Sequence, residues 1–174
     1  MSTVPASLHA SPAAGYDSPF EMLTSCHERV ERMLGLLERL SAHVARHGAD
    51  TNARSAAGDL LRYFDLAAPH HHEDEERHVL PRLVASGHAA LAERLRGEHR
   101  RMDQLWRDLR PLLVAVTEGH APAAGLPDVE GYCALYRAHI VAEEAHAYPL
   151  TQPMLDATAL HAMGEEMARR RGVR

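Results

Sequence analysis

One phrase, written twice, limits what this chain can fold into. His71-His72-Glu73-Asp74-Glu75-Glu76-Arg77-His78-Val79-Leu80-Pro81 is followed 68 residues later by His139-Ile140-Val141-Ala142-Glu143-Glu144-Ala145-His146-Ala147-Tyr148-Pro149, and both read H-x-x-x-E-E-x-H-x-x-P. On an α-helix, residues four apart share a face, so His71 with Glu75, and His139 with Glu143, each present an imidazole beside a carboxylate. Two such pairs facing each other across a helical bundle make the arrangement that holds a di-metal carboxylate centre. A single HxxxE reads as a solvated acidic helix end with an incidental histidine. Two copies in matched register, each closed by proline, point to a shared site.

Helical periodicity runs through the rest of the chain. Ser18-Pro19-Phe20-Glu21 reads as a capping box with proline in the first turn. Leu23, His27, Val30, Leu34, Leu37 and Val44 then recur at helical spacing until His47-Gly48. A second helix is predicted from about Ala53 to between Pro81 and Ser86, kinked or tightened to a 3₁₀ turn at Pro69. A third spans about Ala89 to Thr117, bent near Pro111, with Leu91, Leu95, His99, Met102, Trp106, Leu109 and Leu113 on one face. Gly119 to Pro127 is a loop by composition. A fourth helix starts near Asp128, with Tyr132 and Tyr136 pointing inward, and a fifth runs from about Asp156 to Arg171. Arg169 to Arg171 read as a helix C-terminus rather than a binding patch. The fold expected is all-α: an up-down-up-down four-helix bundle over residues 18–150, a C-terminal helix packing on it over 151–174, and a disordered tail over 1–17.

A lone histidine on an apolar stripe, such as His27, is more often a hydrogen-bonded core residue than a ligand. The internal repeat changes that reading. His27 precedes the first unit by 44 residues and His99 precedes the second by 40, so the chain is two helical hairpins of similar size. His27 lies 20 residues before the end of its helix, roughly 30 Å below the turn at 1.5 Å per residue. His71 lies at nearly the same depth on the way back. The metal ligands predicted are therefore His27, His71, Glu75, His99, His139 and Glu143.

Other chemistries are poorly served. The 174 residues suit one domain and carry 14 histidines, no lysine and a net charge of −5, with no basic footprint for nucleic acid in the body. Cys26 and Cys133 have no CxxC spacing and imply no disulfide framework, so a reducing cytoplasm is expected. Residues 1–17 lack a basic start and an apolar core, so no signal peptide is expected, and no apolar run approaches the roughly 20 residues that cross a bilayer. Four imidazoles and two carboxylates without thiolate disfavour structural zinc, and the imidazoles disfavour Ca²⁺ and Mg²⁺. Mixed nitrogen and oxygen ligation suits iron or manganese, and two metals bridged by Glu75 and Glu143 would use every ligand.

From Ser18 to Pro149 the chain resembles the bacterial hemerythrin-like proteins, the HHE cation-binding domains. The E-E-x-x-x-L/Y-P closure carries the register, which selects His71 over His70 or His72. The resemblance implies a non-haem di-iron bundle with two irons, oxo- or hydroxo-bridged, that binds or senses O₂, NO or peroxide. It equally admits an enzyme or iron-handling protein that consumes peroxide or delivers iron to damaged iron–sulfur clusters. Repair-type relatives carry an N-terminal cysteine segment, whereas the first cysteine here is Cys26. A small diatomic or peroxide ligand is the partner implied, with no nucleic acid or membrane and an open oligomeric state.

Three positions are left with two readings each. His78 and His146, three residues after the glutamates and expected on the metal-facing side, either pack at the bundle end or orient a bridging carboxylate. Asp103 stands where oxygen carriers of the family have a further histidine; it either pairs with Arg100 or Arg107 or joins the metal. Both readings of Asp103 leave one iron short of an imidazole and favour oxidation over a reversible O₂ adduct.

Overall fold

A computed structural model describes residues 15–173, and the tail expected before position 15 lies outside the described residues. Helix α1, Pro19–His47, buries Leu23, Val30, Leu34, Leu37, Leu40 and Val44, and ends at Gly48, whose φ of 71° lets its N–H reach Val44 O at 3.0 Å. Ser18 does not cap with its side chain. The turn in which Ser18 N–H donates to Gly15 O holds its ψ at 74°, away from the extended conformation a capping hydroxyl needs.

Helix α2, Thr51–Arg62, starts two residues earlier than periodicity suggests because Asp50 caps it, accepting from Ala53 N–H at 2.8 Å. No 3₁₀ turn marks Pro69. A π turn, Tyr63–Ala67, precedes it, in which Ala68 N–H reaches back five residues to Tyr63 O. Proline has no N–H for the carbonyl four residues earlier, and a widened turn relieves the crowding. Helix α3, Ala68–His78, and α4, Leu80–Ala85, complete this arm. The long α5, Ala89–Thr117, continues through Pro111 without a break. Helix α6, Val129–Ala142, leads into a second π turn, Glu143–Ala147, again placed just before an X-Pro pair, Tyr148-Pro149. Short α7, Tyr148–Thr151, a 3₁₀ turn at Gln152–Met154 and α8, Ala157–Arg170, follow.

The four arms pack as a closed ring: α1 against α2 and α6, and α5 against α2, α4 and α6. Two apolar clusters fill the ring. One contains Val30, Leu34, Leu60, Phe64, Leu109, Leu113 and Tyr132; the other contains Phe20, Leu23, Leu80, Leu83, Leu95, Met163 and Met167. On every arm the histidines and glutamates fall between these clusters, so a polar layer is sealed at both ends by apolar side chains. Each fully buried leucine contributes roughly 1.5–3 kcal/mol to that seal.

Helix α8 does more than end in basic residues. Met163 and Met167 enter the second cluster, and the Gly164 backbone meets Tyr16 so closely that a Cβ there would stand 1.8 Å from Tyr16 O. Arg170 and Arg171 both donate to Asp74, which is fully buried on α3, with Arg171 Nη1 at 3.2 Å from Oδ1. Glu166 links Arg170 to His78 Nε2, the latter at 2.7 Å. Replacing Asp74 with Ala would remove the buried carboxylate that two partly buried guanidinium groups share, leaving Arg170 with Glu166 and Arg171 with the Met167 carbonyl. We expect a loss of about 3–5 kcal/mol, read as a lower urea midpoint, with faster tryptic cleavage at Arg169–Arg171. An unchanged midpoint would show that α8 docks through Met163 and Met167 alone.

Candidate metal centre

The polar layer is built from two i,i+4 pairs and two single histidines. On α3, His71 Nε2 lies 3.3 Å from Glu75 Oε1; across the bundle His139 Nε2 lies 2.9 Å from Glu143 Oε1. His27 from α1 and His99 from α5 complete it. Each Nε2 points inward, with His27 and His71 Nε2 3.0 Å apart and His99 and His139 Nε2 3.0 Å apart. All six side chains are buried, none more than 3% exposed.

These atoms form two groups, each able to hold a metal ion: His27, His71, Glu75 and Glu143, and then Glu75, His99, His139 and Glu143. Within each group the potential ligand atoms lie within 4.8 Å of one another. Both carboxylates belong to both groups. Glu75 Oε2 and Glu143 Oε2 are buried without an aligned hydrogen-bond donor, although histidine nitrogens stand 3.4 Å and 3.2 Å away. Buried carboxylate oxygens without partners are costly, and cations between the imidazoles would satisfy them. The donor set thus fits two borderline transition-metal cations sharing two carboxylates.

The second glutamate of each E-E doublet has its own task. Neighbouring residues on a helix point about 100° apart, so Glu76 and Glu144 look along the adjacent arm rather than into the layer. Glu76 Oε1 accepts from His99 Nδ1 at 3.0 Å, and Glu144 Oε1 accepts from His27 Nδ1 at 2.9 Å. Each hairpin therefore orients the single histidine of the other. Glu98 Oε2 accepts from His139 Nδ1 at 2.7 Å. These bonds place the proton on Nδ1 and leave Nε2 free to bind a cation.

Charge follows from this crowding. Burial would push the His27 imidazole down, yet Glu143, Glu75 and Glu144 outweigh it and raise it to about 9. Burial opposes His99 in the same way, and Glu143, Glu75 and Glu76 raise it to about 11. Burial, then the neighbouring positive imidazoles, hold His71 well below its usual range. Burial and the Glu143 charge raise Glu75. The layer calls for positive charge.

Several residues stand elsewhere than spacing suggests. His78 and His146 do not face the layer: His78 turns to Glu166 of α8 at 2.7 Å, and His146 is exposed. His146 lies within the second π turn, and Tyr148, five residues after Glu143, is buried just as its counterpart Leu80 is buried five residues after Glu75. The buried Tyr148 hydroxyl donates to Glu75 Oε1 and lies 3.2 Å from His27 Nε2. Asp103 is exposed, outside both groups, and pairs with neither Arg100 nor Arg107 among the described residues; Arg100 instead pairs with Glu93 at 3.0 Å. His72 is buried but lies outside the groups, stacked on His99 with ring centroids 4.1 Å apart. Periodicity carried no signal for Tyr148, Glu76, Glu98 or Glu144. The doubled E-E in both units was the available clue for two of them.

A helical bundle with a buried histidine–carboxylate layer of this kind is a cation-binding protein. The hemerythrin HHE cation binding domain family matches residues 18–151, and the chain belongs to that family. It is also similar to an uncharacterized protein of Haemophilus influenzae (strain ATCC 51907 / DSM 11121 / KW20 / Rd), 29% identical over 163 residues that span 92% of this chain and 94% of the relative. The protein is thus a metal-binding helical protein. Among the described residues, no helix is long and apolar enough to cross a membrane.

Tyr148→Phe removes a buried donor from Glu75 without changing the fold. The metal-free protein is expected to keep its helical circular dichroism and lose about 1–3 kcal/mol in urea unfolding. Equal stability of the two proteins would mean that this bond adds nothing beyond packing.

Proposed function

We propose that the chain is a non-haem di-iron protein that binds or senses a small oxidant or diatomic ligand: O₂, NO or peroxide. His27 and His71 hold one iron in this reading, His99 and His139 hold the other, and Glu75 and Glu143 serve both. The sharing of both buried carboxylates between two histidine pairs carries the proposal, since a single-metal site has no use for the second pair. Two irons there would supply a pair of one-electron redox centres to the incoming ligand.

The surrounding residues do the rest. Glu76, Glu98 and Glu144 orient three imidazoles through Nδ1. The apolar clusters above and below keep bulk water from the layer. Tyr148, whose phenol burial and the Glu75 and Glu143 charges hold well above its usual range, keeps a proton at Glu75 Oε1.

Protein purified without added metal should contain two irons per chain by elemental analysis. Glu75→Ala and Glu143→Ala should each lose at least one iron while staying helical; full iron in both would refute the shared-carboxylate assignment. With Asp103 outside the layer, no fifth histidine or extra carboxylate completes the His99 side among the described residues. The reduced protein is therefore expected to oxidise on aeration and not to recover when the gas is removed. An absorption band that vanishes under vacuum and returns on aeration over several cycles would identify a reversible carrier instead. Sustained loss of added peroxide would identify an enzyme.

A further inference from the structure

The internal repeat gives the layer residues of one half counterparts in the other. His27 corresponds to His99, His71 to His139, Glu75 to Glu143 and Glu76 to Glu144. By the same offsets Cys26 corresponds to Glu98, and Leu80 to Tyr148. The ligands obey the repeat. Two departures, at Cys26 and Tyr148, fall beside His27 and His71, while a third, His72 in place of Ile140, stacks on His99.

The first departure removes an acceptor. Around His99 and His139, both Nδ1 atoms donate to carboxylates, Glu76 at 3.0 Å and Glu98 at 2.7 Å. Around His27 and His71, His27 has Glu144, but His71 Nδ1 is buried with no hydrogen-bond partner among the described residues. Cys26 stands where a carboxylate would serve it; the thiol is buried, and Arg29 Nη2 approaches its Sγ at 3.8 Å. To offer a lone pair from Nε2, His71 must keep its proton on an Nδ1 that donates to nothing. Losing such a partner weakens a metal site by about 10–100-fold.

The second departure adds a competitor. The Tyr148 hydroxyl occupies Glu75 Oε1 and sits 3.2 Å from His27 Nε2, atoms that a cation between His27 and His71 would need. Leu80, its counterpart, brings no hydroxyl to the other side. The larger cleft falls on the same half. A cleft of about 620 Å³, lined by Phe20, Thr24, Glu144, Tyr148 and Gln152 among others, opens on the residues that touch His27. Glu144 is 43% exposed there while bonded to His27, and Glu76 is 40% exposed while bonded to His99, so the halves differ by the cleft and not by these carboxylates. On the far side a smaller recess of about 270 Å³ reaches only His72, whose ring covers His99.

We propose that the two metal positions are inequivalent: the His99/His139 position retains its cation, and the His27/His71 position is an exchangeable site for a divalent transition-metal ion, filled second and emptied first through the Glu144–Tyr148 cleft. This rests on the two-metal reading above. The test is an anaerobic titration of the metal-free full chain with Co²⁺, followed by visible absorption, and with Fe²⁺, counted by elemental analysis after desalting. Two steps are expected, with affinities about 10–100-fold apart. The tight step should survive His71→Ala and disappear in His139→Ala. Glu98→Ala, which leaves every ligand in place, should bring the two steps together, and Tyr148→Phe should tighten the weak one. Two steps of equal affinity, or a tight step lost in His71→Ala and kept in His139→Ala, would overturn the inference. A wild-type chain that never takes a second equivalent would instead refute the two-metal reading, and this inference with it.

Discussion

Two carboxylates and four imidazoles buried between apolar clusters are a constraint that the rest of the structure must meet. An ionised carboxylate in such a place is tolerated only when countercharge and hydrogen bonds surround it. Here each bundle arm contributes one part of that compensation. The inner glutamates lie against imidazole nitrogens, three imidazoles are backed by outer carboxylates, and a phenol donates to Glu75. In a family of cation-binding domains, this explains why the layer lies midway along the bundle. At either end it would be open to water, and the demand for positive charge would be met by solvent instead.

Much of this was legible in the amino-acid order. Four long helices and the convergence of six side chains follow from two local periodicities and one repeat, and such signals do not depend on tertiary context. His71, rather than His70 or His72, enters the layer, as the register of the E-E-x-x-x-L/Y-P closure suggested. The capping box at Ser18 failed because a turn upstream controls that backbone, and the early start of α2 depends on an aspartate one residue before the helix. The misplaced residues share a different cause. His78 is turned by a partner on α8 that is 88 residues away, and His146 sits within a turn whose period is locally wider than 3.6. Neither a remote partner nor a changed period can be read from a window of ten residues.

The two π turns deserve a common explanation. Each sits immediately before an X-Pro pair, Ala68-Pro69 and Tyr148-Pro149, so the same loss of an N–H is handled in the same way. Their consequences differ because their positions differ. The first lies in the apolar cluster above His71 and only relieves strain. The second begins at Glu143 itself and so lies in the wall of the layer. Leu80 and Tyr148 are both buried five residues after Glu75 and Glu143, so only the residue type brings a hydroxyl to one half of a repeated structure and not to the other.

The clasp between α8 and α3 links distant stages of synthesis. Asp74 is made early, yet its countercharges Arg170 and Arg171 are added almost a hundred residues later. At about 5–20 residues per second, that separation is a wait of roughly 5–20 s. During that interval Asp74 lacks the two cations that offset its burial in the finished bundle, so a nascent chain is expected to hold α3 less firmly than the complete one.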